Sequence, residues 1–329
     1  MIENDPDLEL AGVAENGEEA VKLALELAPD VVTMDLMMPV LSGFDAIRVL
    51  KAAGGPPVIV VSGVLDPRHE RSVFAALELG AVSVRAKPHG LPDSDPAAVE
   101  LLEEIKAVAA MPRGHVTAKV SGVRRTAGLR RRIIRAVGIA ASTGGPQALR
   151  AVLSALGRHF SVPVLVVQHM TPGFLSEMAG WLETATGLNV IIAKDGLQAR
   201  PGAVYLAPDG AHMLLEPDLV LRLDRTGAAG RHRPSADPMF QSLASATDGF
   251  SAGVVLSGMG SDGARGIATL HDRGGWVIAQ DRASSVVWGM PGSAVQAGAV
   301  DEVLPLGRIG PRLVELVNPT RRPLVRRGV

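Results

Sequence analysis

The chain has 329 residues, no cysteine and a formal net charge of −1, which excludes disulfides, thiolate metal sites and a cysteine nucleophile and gives no global pull toward nucleic acid or anionic lipid. At roughly 150 residues per domain this length predicts about two domains, and no apolar run approaches the roughly 18 residues of a membrane span. The acidic opening Met1–Asp7 lacks the basic-then-apolar order of a secretion signal, so a cytoplasmic protein is expected.

Residues 1–110 alternate strand and helix signals. Strands are expected at Leu8–Val13, Asp30–Asp35, Pro57–Ser62 and Ala81–Ala86, and helices at Gly17–Leu27, Phe44–Ala53, Pro67–Leu79 and Pro96–Ala109. That is the rhythm of a parallel, doubly wound α/β sheet. Asp35 ends one strand, Ser62 ends the next, and Lys87-Pro88 follows the last. In an open parallel sheet these carboxyl-end positions converge on one crevice. A carboxylate nucleophile, a hydroxyl and an ammonium in one pocket suit phosphoryl transfer from a small donor.

This ordered set resembles a response-regulator receiver domain of flavodoxin-like fold. The resemblance implies a phosphoacceptor at Asp35, a hydroxyl switch residue at Ser62 and a phosphate-contacting lysine at Lys87. One feature departs from the family. Receivers open with a strand ending in paired acids that bind magnesium, whereas here Leu8–Val13 already corresponds to the second strand. Glu3, Asp5 and Asp7 follow no strand and are not assigned as the metal pair. The missing first strand is central in the order 2-1-3-4-5. Losing its aliphatic side chains, at roughly 1.5–3 kcal/mol each when buried, rivals a domain's whole stability. The expectation is that Met1 is not the true start and that about 30 residues precede it, one strand-and-helix unit; a degenerate receiver is the alternative. The family uses magnesium for receiver phosphorylation, but the site is incomplete in the chain as written, with too few oxygen ligands. Poor phosphoactivation and raised basal activity are therefore expected.

Residues 111–132 break the rhythm with Pro112, Gly114, Gly122 and Gly128, and carry Arg113, Lys119, Arg124, Arg125 and Arg130 to Arg132 without an acid. This reads as a basic flexible linker. A nucleic-acid patch is the competing reading, but no aromatic side chain interleaves the charges for base stacking.

From Ile133 the alternation resumes. Strands are expected at Ile133–Ile139, Val162–Val167, Asn189–Ile192, Gly253–Leu256 and Trp276–Ala279, with a helix at Gln147–Leu156. The short runs Ala203–Ala207, Met213–Leu215 and Val220–Leu223, separated by Pro208-Asp209-Gly210 and Glu216-Pro217-Asp218, read as an antiparallel hairpin excursion. The basic tail, 318–329, is expected to fray.

Three polar clusters stand at strand exits of this second half. Ala140-Ala141-Ser142-Thr143-Gly144-Gly145 lies between a strand and a helix, Gln168-His169-Met170 follows a second strand, and Gly258 to Gly263, containing Asp262, follows a third. The first cluster matches none of the glycine spacings of dinucleotide sites, P-loops or the Gly-x-Ser-x-Gly elbow. Singly, Ser142 reads as a helix cap, His169 as a strand-end histidine and Asp262 as a loop cap. Together they suit nucleophilic catalysis: Ser142 attacks an ester carbonyl, His169 relays its proton, and Asp262 holds the imidazole tautomer. Backbone amides near Thr143 and within Gly258–Gly260 are candidate oxyanion donors.

These clusters, with Ala207-Pro-Asp-Gly-Ala-His-Met213, Arg231-His-Arg-Pro-Ser-Ala-Asp237 and Leu256-Ser-Gly-Met-Gly-Ser-Asp-Gly263, resemble the chemotaxis protein-glutamate methylesterases. Their architecture is a receiver tethered ahead of a catalytic domain. The resemblance implies a receiver at 1–110, a linker at 111–132, a doubly wound, mostly parallel catalytic domain at 133–317 and a tail at 318–329. It implies hydrolysis of glutamate γ-methyl esters on methyl-accepting chemotaxis receptors, with release of methanol, and deamidation of receptor glutamines. The implied triad is Ser142, His169 and Asp262, with Met259 as backbone contributor to the oxyanion hole and Thr143 as its positioning neighbour. His212, Arg233 and Ser235 are expected to line the cleft without a defined role. Hydrolysis needs no cofactor in this family, and a chemotaxis histidine kinase is the phosphodonor. The unphosphorylated receiver of such proteins covers the cleft. A monomer without nucleic-acid binding or membrane insertion is expected; a catalytically silent adaptor is the alternative.

Overall fold

The structure, a computed structural model, describes residues 1–63, 73–110, 133–226 and 233–318. The expected linker, nearly all of the expected tail, most of the first part of the helix expected at Pro67–Leu79, and Arg231-His232 lie outside the described residues. Two compact units result, one taking in residues 1–110 with Met170–Trp181, the other residues 133–169 with 182–318.

In the first unit α1 (Gly17–Leu27), β1 (Val32–Met34), α2 (Gly43–Ala52), β2 (Val58–Ser62), α3 (Ala75–Leu79), β3 (Ser83–Ala86) and α4 (Pro96–Ala109) alternate. The three strands form a parallel sheet in the order β1-β2-β3, with Val32 opposite Val58 and Ile59 opposite Ser83. Local chemistry starts the helices. Asn16, Ser42 and Asp95 each accept a main-chain N–H of the first turn, and Pro96 occupies a position that needs no donor. Buried Arg85 on β3 pairs with buried Glu104 on α4 and fastens that helix to the sheet.

Leu8–Val13 does not form the expected strand. Its residues are largely exposed, Val13 at 70%. Strand backbone needs a neighbouring ladder to satisfy its polar groups, and among the described residues β1 pairs only with β2.

Residues 133–318 carry β4 (Ala136–Ala141), α5 (Gly145–Ser154), β5 (Val164–Gln168), α6 (Leu175–Thr186), β6 (Asn189–Ile192), β7 (Ala203–Leu206), β8 (His212–Leu215), β9 (Leu221–Asp224), α7 (Ala236–Ala246), β10 (Ser251–Val255), α8 (Ala264–Asp272), β11 (Trp276–Gln280), α9 (Gly289–Gln296), β12 (Glu302–Leu304) and α10 (Leu306–Val317). Seven strands form one sheet in the order β12-β11-β10-β4-β5-β7-β6. Every pairing in it is parallel. The chain builds outward from β4 through β5, then returns to β10 on the other side of β4. That reversal creates a switch point, where open α/β sheets place their sites. The strands β4, β5 and β10 are buried along their whole length, as a sheet covered on both faces requires.

Two expectations are corrected here. Ala203–Leu206 is not part of the antiparallel excursion; it lies inside the parallel sheet between β5 and β6. All four of its residues are buried and it has a partner on each side. The antiparallel strand pair is β8 with β9, His212 opposite Asp224 and Leu215 opposite Leu221, extended by an isolated antiparallel bridge between Gln198 and Val220. The first strand starts at Ala136 rather than Ile133, whose side chain is 75% exposed. The short edge strand β12 had no apolar run to announce it.

Candidate active site

The site grows from the ends of β10, β4 and β5, neighbours at the centre of the sheet. Ser142 follows β4 and is buried. The chain turns into α5 through Gly144, whose φ of +73° is left-handed. A side chain there would be strained, and its Cβ would lie 2.6 Å from Val286. Ser142 N–H donates to the Ser257 carbonyl at 3.0 Å, and the Ser142 carbonyl accepts the Gly145 N–H at 2.7 Å.

His169 follows β5, and its N–H donates to the Ala141 carbonyl at 2.9 Å. Gln168, the last residue of β5, sends its amide nitrogen to the carbonyls of both Ser142, 2.9 Å, and His169, 2.7 Å. The loop after β10 closes the third side. Ser257 Oγ donates to the Thr143 carbonyl at 2.7 Å and accepts the Val287 N–H at 3.0 Å.

Asp262, further along this loop, places Oδ2 at 2.8 Å from His169 Nε2. The same oxygen accepts the Ala236 N–H at 2.7 Å, and Oδ1 accepts the Ser235 hydroxyl at 2.6 Å. Ala236 is the first residue of α7, so the carboxylate sits where a helix N-terminus favours an anion. Burial pushes the Asp262 carboxyl up, but the bonds from His169, Ala236 and Ser235 outweigh it and hold its pKa well below the usual carboxylate range. With Nε2 turned to Asp262, a neutral ring that carries its proton there is left to accept through Nδ1. The ring is thereby set up as a base on its other side.

Thr143 is buried, and its hydroxyl has no hydrogen-bond partner among the described residues. Met259 is half-buried in the loop after β10. His212 stands on β8 and is buried, its Nδ1 accepting the Ser235 N–H at 3.1 Å. Burial, and then the charge of Arg233, lower its pKa. Arg233 is exposed and donates to the Arg225 carbonyl at 3.0 Å. Met213, Met239 and Met290 are core residues. Sequence reasoning gave no role to Gln168 or Ser257. The only signal was a polar residue ending an apolar run.

In the first unit Asp35 and Lys87 follow β1 and β3, and Lys87 Nζ lies 2.8 Å from Asp35 Oδ2. Ser62 ends the intervening β2, and its carbonyl accepts the Lys87 N–H at 2.7 Å. The three residues therefore meet at one sheet edge. The residues that meet here do not fit magnesium: Asp35 is their single carboxylate and is already paired with Lys87, which leaves too few oxygen ligands. Lys106 engages both Asp5, at 2.8 Å, and Asp7, at 2.9 Å, and the described residues contain no group of three or more carboxylates or histidines arranged to hold a metal ion.

A serine at a strand-to-helix turn, beside an imidazole–carboxylate pair on neighbouring strand ends, has the layout of the serine hydrolases. Residues 137–313 match the CheB methylesterase family and residues 1–94 the response regulator receiver domain. The chain belongs to the CheB methylesterase family. The protein-glutamate methylesterase/protein-glutamine glutaminase 4 of Geobacter metallireducens is 40% identical over 325 residues, 96% of this chain and 93% of that protein. Its counterpart numbered 4 in Myxococcus xanthus is 41% identical over 321 residues, 95% of this chain and 91% of that protein. Among solved structures, the catalytic domain of Thermotoga maritima CheB methylesterase is 37% identical with a TM-score of 0.54, covering 56% of this chain and 99% of that domain.

Proposed function

We propose that this protein hydrolyses glutamate γ-methyl esters on methyl-accepting chemotaxis receptors, releasing methanol, and deamidates receptor glutamines to glutamate. The observation that carries the reading is the approach of His169 Nε2 to Asp262 Oδ2, 2.8 Å, on strand ends flanking Ser142. Ser142 Oγ attacks the ester carbonyl as His169 Nδ1 takes its proton, and Asp262 stabilises the imidazolium. The Met259 N–H meets the oxyanion, with Thr143 as its positioning neighbour. Collapse of the tetrahedral intermediate breaks the bond to the methoxy oxygen, and His169 returns the proton so that methanol leaves. Water, deprotonated by the same ring, then attacks the acyl-serine, frees the glutamate carboxylate and regenerates Ser142. With a glutamine substrate the leaving group is ammonia.

The domain reading is a receiver to residue 110, a linker to 132 and a catalytic domain to 317. Asp35 holds the phosphoacceptor position addressed by a chemotaxis histidine kinase, with Lys87 placed to contact the phosphoryl oxygens and Ser62 to read their presence, and transfer to it is weak in this chain. We place the enzyme in the cytoplasm; among the described residues no helix is long and apolar enough to cross a membrane.

The decisive experiment is Ser142→Ala assayed on methylated receptors. Methanol release is expected to disappear while circular dichroism and thermal unfolding stay native. Surviving release removes the nucleophile assignment.

A further inference from the structure

Ser235 is held from two sides. Its main-chain N–H donates to His212 Nδ1 at 3.1 Å, and its hydroxyl donates to Asp262 Oδ1 at 2.6 Å. The same Oγ accepts the Asp237 N–H of α7, at a longer 3.3 Å. A capping serine needs only to accept, so the hydroxyl proton goes to the carboxylate. Ser235 and His212 are both buried, which leaves the hydroxyl few alternative partners.

The carboxylate has a torsional problem that this bond solves. Rotation about its terminal sp³–sp² bond is broad and roughly two-fold, so nothing in the side chain itself aims one oxygen at His169. The Ala236 N–H and His169 share Oδ2, while Oδ1 has the Ser235 hydroxyl. Fixing Oδ1 fixes the plane of the carboxylate, and with it the ring of the base. His212 serves this arrangement only as an acceptor, which requires Nδ1 to be unprotonated. Burial and Arg233 favour that state, against the opposing fields of Asp224 and Asp262.

We infer that Ser235 is a positioning residue for the hydrolysis, locking the Asp262 carboxylate against His169, and that His212 acts through Ser235 by anchoring its main-chain N–H. The inference rests on the Ser142–His169–Asp262 reading above.

The test uses the full chain and methylated receptor, with Ser142→Ala as the control for that reading. Ser235→Ala is expected to lower kcat about tenfold or more, the loss of one hydrogen bond to a charged group, with KM unchanged. The acid limb of the kcat/KM profile should move to higher pH, because a carboxylate stripped of one donor draws the imidazole proton more strongly. Ser235→Thr, which keeps the hydroxyl, restores both. Should the alanine variant not fold, Ser235→Cys preserves the volume with a poor donor and is expected to show the same kcat loss and pH displacement. Wild-type kcat in the folded variant, or a loss confined to KM with an unmoved pH profile, overturns the inference. Activity abolished by S142A but untouched by S235A removes this inference alone. Activity surviving in S142A removes the triad and the inference with it.

Discussion

The Gln168 side-chain amide donates to the main-chain carbonyl of Ser142 at 2.9 Å. The same nitrogen reaches the His169 carbonyl at 2.7 Å, so one buried amide stitches the exits of β4 and β5 together. Replacing Gln168 with Leu keeps the bulk and removes the donor. The Ser142 carbonyl retains the Gly145 N–H, but the His169 carbonyl loses this bond. Urea unfolding is expected to show a loss of about 1–3 kcal/mol, the usual penalty for an unmade buried hydrogen bond. The kcat should fall as well, because the spacing of nucleophile and base is no longer enforced. Unchanged stability and unchanged kcat would refute the role.

Gly258 approaches the nucleophile closely. A Cβ added there would run into Met290 Sδ, the end of a flexible side chain, and would lie 2.8 Å from Ser142 Cβ and 3.0 Å from Ser142 N. The two Ser142 atoms belong to backbone or its first side-chain carbon and, unlike the methionine sulfur, cannot swing away. Gly258→Ala must therefore displace either Ser142 or the loop carrying Met259. Misplacement of about 1 Å in a catalytic group costs on the order of 100-fold in rate, and a loss of that size in kcat, with the fold intact by circular dichroism, is the expected result. A near-native kcat would mean that the loop yields without disturbing the serine.

The receiver half should respond weakly to a phosphodonor. Lys87 already pairs with Asp35, and among the described residues no three carboxylates or histidines are grouped to hold a metal ion. Phosphoryl transfer depends on a metal to neutralise the developing charge, and one paired carboxylate supplies too few oxygen ligands for it. A small phosphodonor with magnesium is expected to leave methanol release at its unstimulated rate. Stimulation of several-fold that disappears in Asp35→Asn would contradict this.

Much of the fold was legible because its signals are local. The bounds of α1 and α4 follow from Asn16 and Asp95-Pro96 at their starts, residues that act on the backbone beside them. Pairing is not local, and there the reading failed. Leu8–Val13 has strand composition but no ladder, and the turn residues after Ala203–Leu206 suggest a hairpin, although its partners β5 and β6 enclose it. The site divides in the same way. Ser142, His169 and Asp262 each follow an apolar run, so their strand-end positions were readable. Gln168 and Ser257 act through main-chain carbonyls of other strands. Ser235 reaches its two partners across 23 and 27 positions of chain, and no spacing rule encodes those contacts.

Asp262 should make stability depend on acid. Its folded pKa lies below the ordinary value because hydrogen bonds from His169, Ala236 and Ser235 overcome the cost of burial. In the unfolded chain the same carboxyl protonates near the reference value of about 3.9. Below that pH the unfolded state binds a proton that the folded state does not, so stability falls as pH falls. The contribution is complete above about 3.9 and is lost as the pH drops toward the folded pKa. Asp262→Asn carries no such charge. The stability gap between wild type and D262N, read from urea midpoints, is therefore expected to be widest near neutral pH and to narrow below about pH 4. The variant should also lose on the order of 10³–10⁴ in kcat, because an amide does not hold the imidazole in its reactive tautomer. Stability curves that run parallel through the acid range would show that the carboxylate is not held as an anion by these donors.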